Sequence, residues 1–157
     1  MIKHRITFIL NRTETELEVN PSDLLIDVLR NHGLISVKLA CDTQICGACT
    51  VLLSGKPVSA CTTLALEMDG NEVTTVEGLA NGEELHPIQQ AFIDKGALQC
   101  GFCTPGMLLS SLSLLEENPN PNEEEIKHYL HGNICRCTGY STIVEAVQQA
   151  TAERSKS

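Results

Sequence analysis

The chain alternates in its first half and turns helical in its second. Over residues 2–10, Ile6, Phe8 and Leu10 fall on one side of an extended segment. Asn11-Arg12 reads as a turn and Glu14–Val19 as the returning strand. Pro21-Ser22 is expected to open a helix reaching about Asn31, with Leu24, Leu25, Val28 and Leu29 as its apolar stripe and Gly33 as its stop. Residues 41–49 show neither period and read as a loop. Thr50–Leu53 and Lys56–Ser59 flank Ser54-Gly55, a hairpin turn, and Glu72–Val76 is a last short strand. Gly78, Asn81 and Gly82 then sit in a polar stretch. Beyond it the apolar spacing is helical. One helix is expected over Pro87–Lys95. A second is capped by Thr104, begins at Pro105 and runs to about Glu117, where Asn118-Pro-Asn-Pro121 ends it. Asn122 caps a third, with Glu123–Glu125 suiting the dipole of its first turn. The fourth runs from Thr142 to about Glu153, and residues 154–157 are expected to fray.

This pattern predicts an α+β chain in two parts. Residues 1–77 form a small mixed sheet with one helix and a loop, a β-grasp-like arrangement. Residues 78–84 are the linker, and 85–157 form a four-helix bundle. There is no internal repeat. Two Tyr, three Phe and no Trp make both cores aliphatic. Units this small bury little surface, so an internal cross-link would help each. The formal charge is −9, from 11 basic and 20 acidic side chains, which argues against nucleic acid as a partner. The N-terminal stretch lacks the apolar core of a secretory signal, and no run nears 18 apolar residues, so a membrane span is not expected. The expected compartment is the cytoplasm, where an even cysteine count points to metal rather than disulfides.

Eight cysteines fall into two sets of four with none left over. Cys41, Cys46, Cys49 and Cys61 read C-x4-C-x2-C-x11-C, the spacing of a plant-type ferredoxin [2Fe–2S] site. Three close cysteines can wrap one side of a rhombic core and the distant fourth can close it. Gly47 and Ala48 between ligands let backbone N–H groups approach the cluster sulfurs. Cys100 and Cys103 read C-x2-C, and Cys135 and Cys137 read C-x-C, with 31 residues between the two pairs. Both pairs lie just before helices, whose N-termini favour anionic groups. Structural zinc also takes four cysteines and stays open for either set, more so for the second.

Three segments resemble the small iron–sulfur subunit of the xanthine dehydrogenase family, the molybdenum hydroxylases: Cys46–Val51, Gln99–Met107 and Asn133–Tyr140. The resemblance spans nearly the whole chain. It implies a ferredoxin-like domain followed by a helical [2Fe–2S]-binding domain, and an electron-transfer role without substrate turnover in this chain alone. It implies a large subunit with molybdenum on a pterin dinucleotide and a medium subunit with FAD. It also implies that Gln99 and Cys137 lie near the pterin, with the helical-domain cluster nearer molybdenum. The family has Gly before the first ligand and often within the x4 loop; here Ala40, Asp42, Thr43, Gln44 and Ile45 stand. The Cys41-Asp-Thr43 pattern is similar to small subunits of the carbon monoxide dehydrogenase type.

A free two-cluster ferredoxin and a zinc-stabilised interaction module are the alternative readings. The five histidines share no spacing and read as surface or capping residues. Arg136, between two ligands, reads as a salt-bridge or helix-end residue, with stabilisation of a reduced cluster as its other role. Met107 and the Leu-rich run to Leu115 read as core.

Overall fold

The structure, a computed structural model, describes residues 2–154. Its first half is a five-stranded sheet in the order β2-β1-β5-β3-β4. β1 (His4–Leu10) and β2 (Thr13–Val19) form an antiparallel hairpin in which Leu10 pairs with Thr13. Asn11 and Arg12 both adopt left-handed φ, 48° and 70°, as a two-residue hairpin turn requires. β5 (Glu72–Thr74) runs parallel to β1 and antiparallel to β3 (Thr50–Leu53). β3 turns at Ser54-Gly55 into β4 (Lys56–Ser59). Ile6, Phe8, Leu10, Val51 and Val73 face a core closed by Leu25, Ile26 and Leu29 of α1 (Leu25–Asn31).

The helical half holds α2 (Pro87–Asp94), α3 (Thr104–Glu117), α4 (Glu123–Tyr129) and α5 (Ser141–Arg154). Their shared core includes Ile88, Phe92, Met107, Leu109, Leu115, Ile126, Ile143 and Val147. Leu52 belongs to this core, although its neighbour Val51 points into the other. β3 is therefore buried on both faces, which its continuous apolar run allows. Burying Leu52 is worth about 2 kcal/mol of attachment between the halves.

Several boundaries differ from the sequence expectation. α1 starts at Leu25 rather than Pro21, because Asp23 first folds back to accept the Asn20 N–H at 2.7 Å and Leu24 bridges to Leu64. The last strand ends at Thr74, since the Thr75 N–H turns to Asn11 Oδ1 at 2.8 Å. α3 includes Thr104, and Cys103 caps it, because the Cys103 carbonyl already accepts from Met107 N at 3.0 Å. Asn122 caps α4: its Oδ1 accepts from Glu125 N at 3.0 Å, and Glu125 Oε2 accepts from Asn122 N at 2.7 Å. α5 begins at Ser141 and its last residue is Arg154. Arg154 is thus helical where fraying is expected, and residues 155–157, the rest of that expectation, lie outside the described residues.

Residues 78–84 follow a fixed path. Leu79 is buried in the helical core, and Asn81 and Glu84 exchange backbone hydrogen bonds of 2.9 and 3.1 Å. Glu77 ties this strap to the loop before the first cysteines, accepting from Ser36 N at 3.1 Å and Ser36 Oγ at 2.5 Å.

Candidate metal centres

The thiols are unbridged and gather in two groups, one per half, and within each group they face one another in pairs. Cys41 lies within hydrogen-bonding reach of Cys46, and Cys49 of Cys61. Cys137 Sγ donates to Cys100 Sγ at 3.5 Å, and Cys103 lies beside Cys135. The pairs of one group are close enough to feel each other's charge, as Cys46 acts on Cys49 and Cys100 on Cys103. Among the described residues, no three His, Cys, Asp or Glu side chains surround one point as a single ion would need. A tetrahedral zinc site gathers four thiolates about one ion. A rhombic [2Fe–2S] core takes two thiolates on each iron, and two facing pairs fit that core better.

Each group has a covered and an open pair. Cys49, Cys61 and Cys135 are buried and Cys103 is half-buried. Cys41 and Cys46 are half-buried, while Cys100 and Cys137 are exposed. Electrostatics divides them further. Backbone N–H groups of Thr43, Ile45 and Cys46 lower the Cys41 thiol to about 6, so it is a ready thiolate at neutral pH. Two of these contacts, from Ile45 N and Cys46 N, measure 3.4 Å. Burial pushes Cys49 and Cys103 up to about 12, and a metal would have to displace those protons on binding. The Phe102 N–H lowers Cys100, and the hydrogen bond to Cys100 raises Cys137. Burial acts to raise Cys135, but the Thr138 hydroxyl at 3.2 Å and its N–H at 3.5 Å outweigh it and lower the thiol.

The loop before Cys46 reaches its wrapped path without glycine. Asp42 and Gln44 hold φ of 54° and 60°, the left-handed region. Each such residue costs about 1 kcal/mol or more, less for Asp, and is held by the hydrogen bonds around it. Tyr140, also left-handed at 69°, folds back so that its hydroxyl accepts from Cys135 N at 3.0 Å.

The two loops meet, a feature the sequence reading missed. Ile134 N donates to Cys46 O at 2.9 Å. Asn133, 6% exposed, donates through Nδ2 to Gly47 O at 3.1 Å and to Thr50 Oγ1 at 3.3 Å, and its Oδ1 accepts from Ser110 Oγ at 2.8 Å. Gly106 of α3 packs on the same peptide: a Cβ there would lie 2.2 Å from Gly47 O. No periodicity marks Asn133 or Gly106. Their signal is a place within the cysteine-bearing segments Gln99–Met107 and Asn133–Tyr140.

Gln99 is exposed beside Cys100. Leu98, Phe102, Ile134 and Tyr140, each 40–47% exposed, lie in the two segments that meet at the Cys100–Cys137 contact. Arg136 is exposed and has no ion-pair partner among the described residues. His86 caps α2 by accepting from Ile88 N at 3.2 Å, while His128 and His131 stack edge to face on the surface.

Two family models match the chain, "2Fe-2S iron-sulfur cluster binding domain" over residues 8–80 and "[2Fe-2S] binding domain" over 75–148. The chain is 48% identical over 153 residues to the nicotine 6-hydroxylase small subunit of Paenarthrobacter nicotinovorans, covering 91% of this chain and 92% of that one. It is 44% identical to the nicotinate dehydrogenase small FeS subunit of Eubacterium barkeri, covering 96% of each. It superposes on the crystal structure of quinoline 2-oxidoreductase from Pseudomonas putida 86 with a TM-score of 0.93 and 43% identity, covering 98% of this chain and 96% of that one.

Proposed function

The chain belongs to the small iron–sulfur subunits of the xanthine dehydrogenase family of oxidoreductases, and we propose that it holds two [2Fe–2S] clusters that link a molybdenum centre to an electron acceptor. Its role is electron transfer within a multi-subunit enzyme. The observation that supports the two-cluster reading is the arrangement of eight thiols in two groups of facing pairs, each with one covered and one open side. A [2Fe–2S] cluster takes up and returns one electron.

The residues of this chain do the rest. Cys41, Cys46, Cys49 and Cys61 hold the first centre, and Cys100, Cys103, Cys135 and Cys137 the second. The N–H groups of Ile45, Cys46 and Thr138 stay near ligand sulfurs and offset negative charge there. The two cores keep water from the covered pairs. α2–α5 form a bundle that grips the second centre at one end. Gln99 and Cys137, on the open side of that centre, face the pterin of a large molybdopterin-binding subunit, whose surface covers Phe102, Ile134 and Tyr140. A medium subunit with FAD takes electrons from the first centre. No helix among the described residues is long and apolar enough to cross a membrane, and eight cysteines committed to metal rather than disulfides suit the reducing cytoplasm.

Anaerobic addition of substrate to the complex purified with its large subunit tests the proposal. Two distinct EPR signals should appear, and Gln99→Ala should slow their appearance while keeping both. A chain that is monomeric, fully loaded with iron and reactive with carriers by collision would favour a free ferredoxin. A colourless chain with bound zinc would refute the cluster assignment.

A further inference from the structure

The Gly47 peptide lies between two ligands of the first centre and is held from both halves. Its carbonyl accepts from Asn133 Nδ2 at 3.1 Å, from Thr50 Oγ1 at 2.8 Å and from Thr50 N at 3.2 Å. Thr50 Oγ1 is itself held by Asn133 Nδ2 at 3.3 Å. Asn133 cannot swing away, because Ser110 Oγ donates to its Oδ1 at 2.8 Å and both side chains are buried. There is no slack at Gly47 either. Its φ is +68°, and a Cβ would lie 2.3 Å from Gly132 O and 2.5 Å from Asn133 Nδ2. The preceding carbonyl, Cys46 O, is fixed by Ile134 N at 2.9 Å. Two successive carbonyls of the Cys46–Cys49 segment are thus turned toward the helical half. In a planar trans peptide the N–H points opposite to the C=O, so the N–H groups of Gly47 and Ala48 are turned away from it. Asn133 adds a buried side-chain hydrogen bond from the helical half to those that Thr50 makes from its own half.

We propose that Asn133 is a positioning residue for the first centre: from the other half of the molecule, it fixes the peptide orientation between Cys46 and Cys49 and so sets the redox potential of the centre those cysteines hold. This rests on the reading that Cys41, Cys46, Cys49 and Cys61 bind a [2Fe–2S] cluster. Asn133 stands two residues from Cys135, so local influence alone would tune the second centre. The hydrogen bonds point instead across the seam. N–H dipoles around a cluster tune its potential, and the Gly47 and Ala48 N–H groups lie between two of its ligands, so a change in their orientation should move it.

The experiment is a potentiometric EPR titration of the whole complex carrying Asn133→Ala, Asn133→Asp or Ser110→Ala. Asn133→Asp keeps the shape and the acceptor for Ser110 but removes the donor to Gly47. Losing one buried hydrogen bond should change the reduced-to-oxidised ratio of the first centre about tenfold at fixed applied potential, near 59 mV for one electron. Asn133→Ala and Asn133→Asp should both move the first signal and leave the second in place. Ser110→Ala, which loosens only the anchor, should move the same signal less. Should Asn133→Ala fail to assemble, the Asn133→Asp and Ser110→Ala complexes supply the same readout. Unchanged midpoints, or a shift of the second signal alone, would overturn the proposal and leave Asn133 a structural residue of its own loop. Absence of a first-centre signal in the unsubstituted complex would instead defeat the underlying cluster reading, whatever Asn133 does.

Discussion

Gly106→Ala sets two physical effects against each other. Gly106 lies in the first turn of α3, and Ala is a better helix former than Gly by up to about 1 kcal/mol. Local propensity alone therefore predicts a more stable protein. The seam predicts the reverse. The added Cβ would sit 2.2 Å from Gly47 O and 3.1 Å from Asn133 Nδ2, and the first of these neighbours is backbone that cannot rotate aside. α3 and the Cys46–Cys49 loop must separate, an overpacking cost of about 1–3 kcal/mol. Separation also strains the Asn133–Gly47 and Ile134–Cys46 hydrogen bonds, and a buried group left unpaired costs about 1–3 kcal/mol. Net of propensity, Gly106→Ala should destabilise by about 1–5 kcal/mol. For a chain of this size that is a fall of roughly 2–20 °C in the transition temperature. The assay follows circular dichroism and visible bleaching of the loaded protein on heating, at one scan rate, since loss of iron makes unfolding irreversible. Gly132→Ala is the control, because nothing lies within 4 Å of a Cβ there. A Gly106→Ala transition equal to or above that of the parent would refute the reasoning.

Cys41→Ala should abolish one EPR signal and lower iron from about four to about two atoms per chain, leaving the other signal intact; loss of both would show that the two sets do not bind separately. Asn122→Ala removes a capping box at an exposed helix start and should cost about 1 kcal/mol, read as a fall of a few degrees with both signals unchanged. Lys56→Ala breaks a 2.7 Å ion pair to Glu117 that also crosses between the halves, but both partners are exposed. It should barely move the transition in the same assay, and a loss matching that of Gly106→Ala would mean surface charge rather than the buried seam joins the halves.

The hairpins were legible because each is a local event: alternating strands meet at Asn11-Arg12 and Ser54-Gly55, and nothing distant decides them. The third helix start was legible for the same reason, since Asn122 and Glu125 satisfy each other within one turn. The late start of α1 was not, because Leu24 is drawn into a bridge with Leu64, forty residues away in sequence. The thiol groups follow from spacing, but spacing does not say which cysteine faces which. That needs the left-handed Asp42 and Gln44, a conformation that neither residue type announces. Residues 78–84 look polar and loose as text, yet Leu79 is drawn into the helical core and Glu77 bonds to Ser36. Asn133 and Gly106 escaped for a deeper reason. Their roles are defined against a surface in the other half, and nothing in their own neighbourhood encodes it.

The seam bears on which kind of electron carrier this is. A protein that exchanges electrons by random collision needs one exposed edge and gains nothing from a second site held rigidly behind it. Here each thiol group has an open pair and a covered pair, and the helical loop bonds directly to the ferredoxin-like loop through Ile134 and Cys46. A fixed internal relation between two centres is useful when electrons enter at one and leave at the other. Thermal motion at a loose hinge would vary the gap, and transfer falls steeply with distance. The buried packing of Leu52, Leu79, Gly106 and Asn133 keeps that gap constant, while Phe102, Ile134 and Tyr140 remain uncovered beside the open pair of the second site. Exposed apolar side chains around an exposed thiol pair are costly in a freely diffusing protein and are stabilising once a partner covers them. The same chain is thus rigid where its two sites face each other and incomplete where one faces outward, the division expected of a relay built into a larger enzyme.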